Sequence, residues 1–126
     1  MNGIDFVADT NAIIYAMEEH PALRGFISCV PAISVITEVE LLGKKGIAQQ
    51  EAEKIRQLIS GFTIFGFSEE IKNKTIALRQ QHSIAVPDAI IAATAQHYGL
   101  TLITADKGFT KLEHIIDVII LDLQRC

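Results

Sequence analysis

The sequence contains few cysteines, no tryptophan and no excess of basic residues. Of its 126 residues only Cys29 and Cys126 are cysteines, so we expect no disulfide framework and a reducing cytoplasm as the compartment. No apolar run approaches the roughly 20 residues that a membrane-spanning helix needs. The N-terminus has no basic stretch before an apolar one. Neither a membrane partner nor a secretory signal is therefore expected.

Motifs that bind nucleotides or zinc are also missing. Neither Gly-x-x-x-x-Gly-Lys-Ser/Thr nor Gly-x-Gly-x-x-Gly occurs, which removes the usual phosphate-cradling loops. The histidines are scattered without the spacing of zinc ligands, so no zinc site is indicated: His20, His82, His97 and His114.

Apolar residues, in contrast, are abundant. They make up 49% of the chain, and the mean hydropathy is +0.30, which excludes a disordered protein. The length suits one domain with one core, and no linker or repeat interrupts residues 1–126. A domain this small has a limited interior, so some apolar surface is expected to remain for a partner.

Short β-type runs alternate with helical segments along the chain. The runs that favour strands are Phe6–Ala8, Ala32–Ser34, Phe62–Phe65, Leu100–Ile103 and Val118–Leu121. Most are apolar on both faces, which is typical of strands buried in a parallel sheet. The pattern predicts an α/β fold, a three-layer α/β/α sandwich with a mainly parallel sheet of five strands.

The predicted helices carry recognisable end signals. The segments that favour helices are Asn11–Met17, Ile36–Leu42, Gln49–Ile59, a helix from Ser68 to about Gln81, and Pro87–Tyr98, with a short turn after Pro21. Ser68 is a good N-cap, and Gly99 suits the position just beyond a helix. The segment Pro87–Tyr98 is apolar nearly all round, so it should be buried.

Two acids lie just beyond predicted strands, where ligands bind in parallel α/β folds. Asp9 follows the first strand, and it could equally be the N-cap of the next helix. Asp106 follows the fourth strand beside Gly108, where an ordinary turn or cap is the simpler interpretation. Taken singly, neither residue indicates function.

Two further acids lie on predicted helices. Thr37 to Glu40 matches a capping box, but if the helix starts at Ser34, Glu40 lies within it, on or near the buried side. Asp88 opens a helix that is otherwise apolar, so it is unlike a solvated surface charge, although it also complements the helix dipole. A cation would explain acids held beside apolar neighbours.

The four acids are more informative together than singly. If the strands are parallel, they converge on one edge of the sheet, where they would repel each other unless cations bind. Carboxylate oxygens suit Mg²⁺ or Mn²⁺, which can activate water against a phosphodiester. The net charge of −4 disfavours a nucleic acid at first sight; without these four acids, however, 11 acidic residues balance 11 basic ones. Lysines near the acids could contact phosphates, although such residues are more often simply solvated: Lys44, Lys45, Lys107 and Lys111.

At these residues the sequence resembles the PIN domain family, and within it the VapC-type toxins of toxin–antitoxin pairs. The resemblance runs from about Phe6 to Leu121. Its four motifs are Asp9-Thr10-Asn11, Ile33-Ser34 leading to Glu40-Leu41-Leu42-Gly43, the segment Pro87–Ala95, and the segment Leu102–Phe109. Each is short, and their order and spacing make the combination specific.

The resemblance implies a Mg²⁺- or Mn²⁺-dependent endoribonuclease. Asp9, Glu40, Asp88 and Asp106 would be its acidic quartet, and Asn11 and Thr104 its polar supports. A homodimer and inhibition by a cognate antitoxin are also implied. The family often has another polar or acidic residue near Lys107, so a fifth ligand is not expected here.

Other classes fit the residues less well. A receiver domain needs an adjacent pair of acids early in the chain, where this chain has only Asp9 with Asn11. A haloacid-dehalogenase-type phosphatase needs Asp-x-Asp after the first strand, and the second of these positions is Asn11 here. A non-catalytic module with the same fold that binds metal or RNA remains an alternative, because intact acids do not establish turnover.

Overall fold

The computed structural model describes residues 3–26 and 28–124 and contains one five-stranded sheet. The strand order is β3-β2-β1-β4-β5, and every neighbouring pair is parallel. Helices pack on both faces of this sheet, which confirms the predicted three-layer α/β fold.

Strands and helices alternate for most of the chain. The strands are β1 (Phe6–Ala8), β2 (Pro31–Ser34), β3 (Thr63–Phe65), β4 (Thr101–Thr104) and β5 (Val118–Ile120). The α-helices are α1 (Thr10–Met17), α2 (Val35–Leu42), α3 (Gln49–Ile59), α4 (Glu69–Gln81) and α5 (Val86–Tyr98). Two 3₁₀ helices, Pro21–Phe26 and Lys107–Leu112, complete the structure.

Successive residues of the central strands enter different halves of the core. In β1, Val7 faces the layer of α4 and α5, whereas Phe6 and Ala8 face α1 and α3. Val7 lies in register with Ala32 of β2 and Leu102 of β4, and all three are fully buried. Burial on both faces explains why these strands contain few polar residues.

The edge strands are more exposed than the sequence suggests. In β3, Thr63 and Ile64 are exposed, and in β5, Ile119 is 42% exposed. The expectation that most strands are apolar and covered on both faces therefore holds, since the three central strands are buried and only these edge positions are exposed. An edge strand has a neighbour on one side only, so the helical layers cover it incompletely.

The predicted helix ends agree closely with the structure. The hydroxyl of Ser68 accepts from the backbone N–H of Ile71 (3.2 Å) and caps α4. Gly99 ends α5 with a φ of 65°, a left-handed conformation that glycine adopts without steric strain. The 3₁₀ helix at Lys107–Leu112 was not predicted, because six residues are too few to show a helical period.

Among the described residues, no helix combines the length and apolarity that crossing a bilayer would require. Cys29 is a partly buried free thiol. Cys126 lies outside the described residues.

Candidate active site

Asp9 lies where the direction of the strand order changes. The chain passes from β1 to β2 on one side and later returns to β4 on the other side of β1. A crevice at such a switch point is where parallel α/β sheets bind ligands. Asp9 is the residue after β1 and is only 4% exposed.

Both interpretations of Asp9 are compatible with its hydrogen bonds. Its Oδ1 accepts from the backbone N–H of Ala12 (2.8 Å), so it does cap α1. Its Oδ2 accepts from the hydroxyl of Thr104 at the end of β4. Two different elements thus hold the carboxylate in one orientation.

Thr104 connects three parts of the site. Its side chain is fully buried, and its hydroxyl donates to Asp9. The same oxygen accepts from the backbone N–H of Asp106 (2.9 Å). The hydroxyl therefore donates one hydrogen bond and accepts another. These two bonds connect the end of β1, the end of β4 and the turn that follows β4.

Asp106 caps the 3₁₀ helix that begins at Lys107. Its Oδ1 accepts from the backbone N–H of Gly108 (2.8 Å). A Cβ at position 108 would lie 3.0 Å from this oxygen, so the absence of a side chain at Gly108 allows the turn to close tightly. Asp106 therefore does form the cap that the simpler interpretation predicts, and its carboxylate still acts electrostatically on the other acids.

The geometry of α2 decides between the two interpretations of Glu40. The helix begins at Val35, and its cap is Ser34, whose hydroxyl accepts from the N–H of Ile36 (3.1 Å). Thr37 and Glu40 therefore do not form a capping box, and Glu40 lies inside the helix. The expectation that Glu40 lies on or near the buried side is wrong: the residue is exposed, because Thr37 and Leu41 take the core-facing positions one turn apart.

Glu40 is nevertheless tied to the region around Asp9. The hydroxyl of Thr10, the residue after Asp9, donates to Oε1 of Glu40 (2.6 Å). This hydroxyl also lies 3.1 Å from the hydroxyl of the buried Thr37. Sequence reasoning missed Thr10 and Thr37 as contributors; the position of Thr10 next to Asp9 was the one available signal.

Asn11 is not among the residues that the structure draws to this cluster. It is exposed, and no side-chain hydrogen bond to the acids is found for it in the described parts of the chain. Its role as a polar support stays a prediction from the family resemblance.

Asp88 lies in the first turn of α5 and does not cap it. The N-cap is Ala85, which makes no side-chain cap hydrogen bond. Burial raises the pKa of the Asp88 carboxyl above its ordinary value of 3.8, and the charges of Asp106 and then Glu40 raise it further. The positive charge of Lys111 acts in the opposite direction.

The pKa of Asp9 is also raised, chiefly by burial. The hydrogen bonds from Thr104 and Ala12 oppose this rise, and the charges of Asp88 and Asp106 add to it. Each of the four predicted acids therefore interacts electrostatically with at least one other. The structure brings together the residues that the sequence scatters over almost 100 positions.

The chemistry of this donor set fits a hard divalent cation, since its four side chains are all carboxylates. Within the described residues, however, no three Asp, Glu, His or Cys side chains are close enough to hold one ion. Asp9, Glu40 and Asp106 each use at least one oxygen in the bonds described above. To hold an ion, these side chains would have to share or exchange those bonds.

Several solved structures have a fold similar to that of this chain. The chain is similar to a toxin–antitoxin complex from Klebsiella pneumoniae, with a TM-score of 0.77 and 32% identity over 91% of this chain and 96% of that one. It is also similar to VapBC-1 from nontypeable Haemophilus influenzae, with a TM-score of 0.76 and 25% identity over 93% and 98% of the two chains. VapBC2 from Rickettsia felis, at 24% identity and a TM-score of 0.76 over 94% and 100% of the two chains, shows the same fold.

No curated protein sequence matches the chain. The model of the PIN domain family matches residues 6–115. This match covers all four motifs on which the resemblance to VapC-type toxins rests, and the similarity to the Klebsiella complex supports the same relationship. The chain belongs to the PIN domain family.

Proposed function

We propose that this PIN domain is a Mg²⁺- or Mn²⁺-dependent endoribonuclease, and that it is the toxin of a type II toxin–antitoxin pair. Membership of the family supports a nuclease in general. One observation supports the proposal most: Asp9 and Asp88 have raised pKa values through burial and through the charges of neighbouring acids. Such a cluster destabilises the fold unless a cation balances it, so its presence favours a functional origin.

We assign the four acids, Asp9, Glu40, Asp88 and Asp106, to hold the cation. A divalent ion bound there supplies an activated water and stabilises the leaving oxygen of a phosphodiester. The surrounding groups orient these acids: Thr104 holds the carboxylate of Asp9, and Thr10 holds that of Glu40. Burial of Asp9 keeps bulk water from its carboxylate, which strengthens its electrostatic interactions.

The decisive experiment is cleavage of single-stranded RNA by the purified protein with Mn²⁺ or Mg²⁺. We expect internal cuts that EDTA abolishes, and no cutting of single-stranded DNA of the same sequence. Asp9→Asn and Asp88→Asn should lower the cleavage rate by more than about a hundredfold, because each removes a charged ligand.

Matched variants distinguish the loss of a charged ligand from a general loss of folding. Glu40→Gln should also abolish cleavage, whereas Glu53→Gln, at an exposed position on α3, should leave it unchanged. Cleavage that survives EDTA and the aspartate substitutions would contradict the proposal. RNA or metal binding without any cleavage would favour the alternative, a non-catalytic binding module.

We further propose that a cognate antitoxin inhibits the protein by binding a cleft between β1 and α1 and thereby disturbing the acids. This cleft has a volume of about 620 Å³, and its lining is largely apolar. Ala8 and Ala12, which line it, flank Asp9 in the chain. None of the four acids is among the described residues that line the cleft, so a partner bound there would act on Asp9 through the connection between β1 and α1. Co-expression with the neighbouring reading frame should yield a complex that no longer cuts RNA; an active complex would contradict the proposal.

Two further features are proposals of the same kind. We assign residues 1–126 to one domain, of which the family match covers 6–115. We also propose a homodimer, because large apolar side chains remain exposed on helices of the described chain, including Val39 on α2 and Ile76 on α4.

A further inference from the structure

A small cavity adjoins the acids on the side of α5. Its volume is about 100 Å³, and it lies between residues 83–85, which precede α5, and the second 3₁₀ helix. Asp88 and Asp106 line it, and Lys111 is the basic residue among its lining side chains. An ammonium group therefore shares a cavity with two of the four acids.

The ammonium of Lys111 is held across this cavity. Its Nζ donates to the backbone carbonyl of Ser83, which lies 28 positions earlier in the chain. This contact joins the second 3₁₀ helix to the segment that leads into α5. The carbonyl is a neutral acceptor, so the contact does not pair Lys111 with a carboxylate, and its positive charge acts on Asp88 across the cavity.

Two other lysines of the described chain differ in this respect. Lys44 forms an ion pair with Glu51 (3.6 Å) and Lys72 with Glu69 (3.0 Å). Their charges are therefore paired with the exposed carboxylates of Glu51 and Glu69. Lys111 instead acts electrostatically on Asp88, where it opposes the effect of the neighbouring acids.

A substrate phosphate needs such a group at this place. Four carboxylates repel a polyanion, and the net charge of −4 gives no general attraction toward RNA. Bonds between an ammonium and a phosphate oxygen are charge-assisted and are roughly twice as strong as bonds between neutral groups. The bond to the Ser83 carbonyl already has a charged donor, and a phosphate oxygen adds an opposite charge on the acceptor, so exchanging the carbonyl for a phosphate increases the electrostatic attraction.

We propose that Lys111 binds a backbone phosphate of the RNA beside Asp88 and Asp106, and that its contact with Ser83 is the resting position of its side chain. This inference rests on the proposed ribonuclease function, and it adds a substrate-binding residue to the metal-binding acids. Among the described lysines, it assigns the contact to the one that lines the cavity.

The test compares Lys111→Ala with Lys111→Arg and with Lys72→Ala. We expect Lys111→Ala to raise the KM for a mixed-sequence single-stranded RNA by about tenfold, the effect of losing one charged hydrogen bond. The dependence of log(kcat/KM) on log salt should become shallower by about 0.7, the value for one phosphate contact on a single strand. Lys111→Arg should restore most of the parent KM and most of the salt dependence. Lys72→Ala should match the parent protein in both quantities.

The melting temperature separates phosphate binding from a role in positioning the acids. The rise in Tm on adding Mn²⁺ should be at least as large in Lys111→Ala as in the parent protein, because removing the ammonium leaves more negative charge at the acids for the cation to balance. If the alanine variant loses this rise while its KM stays normal, Lys111 positions the metal-binding acids and the inference is overturned. Equal KM values and salt slopes for Lys111→Ala and Lys72→Ala overturn it as well. Should the alanine variant fail to fold, Lys111→Gln takes its place.

A direct measurement of RNA binding keeps the test of this inference distinct from the test of the proposed function. If the parent protein cuts no RNA, the endoribonuclease proposal fails. Fluorescence anisotropy of a labelled RNA in EDTA still tests Lys111, since phosphate contact needs no turnover. Weaker binding by Lys111→Ala, restored by Lys111→Arg, supports the contact, and unchanged binding overturns it.

Discussion

At the scale of single residues, Thr104 determines how the site is held together. Its hydroxyl donates to the buried Asp9 carboxylate and accepts from the backbone of Asp106. A carboxylate in the interior is stable only when its oxygens have partners. Thr104 therefore joins two of the predicted ligands through one oxygen atom, although it carries no charge itself.

We expect Thr104→Val to reduce both stability and cleavage. Valine has nearly the same shape but lacks the hydroxyl, so the Asp9 oxygen and the N–H of Asp106 each lose a partner. Leaving a buried polar group unsatisfied costs about 1–3 kcal/mol, and urea denaturation would measure this as a lower free energy of unfolding. Cleavage of RNA should fall as the Asp9 carboxylate loses its fixed orientation.

Thr94 on α5 offers a control for this substitution. It is 1% exposed, and its hydroxyl donates to the carbonyl of Ile90 within the same helix. Thr94→Val should have the smaller effect on stability and none on cleavage, and Thr104→Ser should retain activity. Equal losses in the two valine variants would show that the contact with Asp9 has no special importance.

At the scale of secondary-structure elements, α5 places a charge where the fold would otherwise be apolar. Seven of its residues are buried, four of them alanines: Ala89, Ala92, Ala93 and Ala95. These small side chains allow close packing against the sheet, which fixes the N-terminal turn and hence Asp88. The raised pKa of Asp88 follows from this position, since burial and the neighbouring acids disfavour its charged form.

The contribution of Asp88 to stability without metal should therefore decrease as the pH rises. The raised folded-state pKa of Asp88 means that the folded protein binds this proton more tightly than the unfolded chain. Its contribution to the free energy of unfolding accordingly falls as the pH increases from 3.8, the ordinary value, through the raised value. Asp88→Asn removes this charge, so in EDTA at about pH 7 the variant should have a higher urea midpoint than the parent protein.

The difference between the two proteins should shrink as the solution becomes acidic, because Asp88 is then protonated in both states of the parent chain. Asp117→Asn, at an exposed position, serves as the control for removing a negative charge. A variant that is less stable than the parent at neutral pH, or a difference that does not vary with pH, would contradict the repulsion that we assign to Asp88.

Elements with strong local signals could be predicted from the sequence. Ser68, Gly99 and the apolar segment after Pro87 fixed α4 and α5 to within a residue or two. The start of α2 was ambiguous, because Ser34 and Thr37 are both good caps and only the end of β2 decides between them. The exposure of Glu40 follows once the start of α2 is known, but its bond to Thr10 depends on how α1 and α2 pack, which no local pattern records.

At the scale of the whole molecule, the sheet order brings the site together and leaves apolar surface uncovered. Asp9 and Asp106 could be predicted to meet because parallel strands end at one edge. The order of the strands could not be read from their composition, and it is this order that makes β1 and β4 neighbours. Apolar side chains such as Val39 (57%) and Ile76 (48%) are exposed, and the proposed homodimer would cover part of this apolar surface.

We expect the isolated protein to be a dimer in solution. Val39→Lys and Ile76→Lys place a charge in the proposed interface and should shift the molar mass measured by light scattering toward that of a monomer. Gln57→Lys adds the same charge at an exposed position on α3 and should leave the dimer intact. A parent protein that remains monomeric at high concentration would contradict the proposed homodimer.

The hydrogen bond between Thr104 and Asp9 spans 95 positions of the chain, and this determines when the site can exist during synthesis. A nascent chain that ends before residue 104 lacks β4, the partner that orients Asp9, and it also lacks Asp106. Contacts between such distant segments form late, since the loop between them must close first. The ribosome therefore has to complete most of this chain before all four acids can assemble.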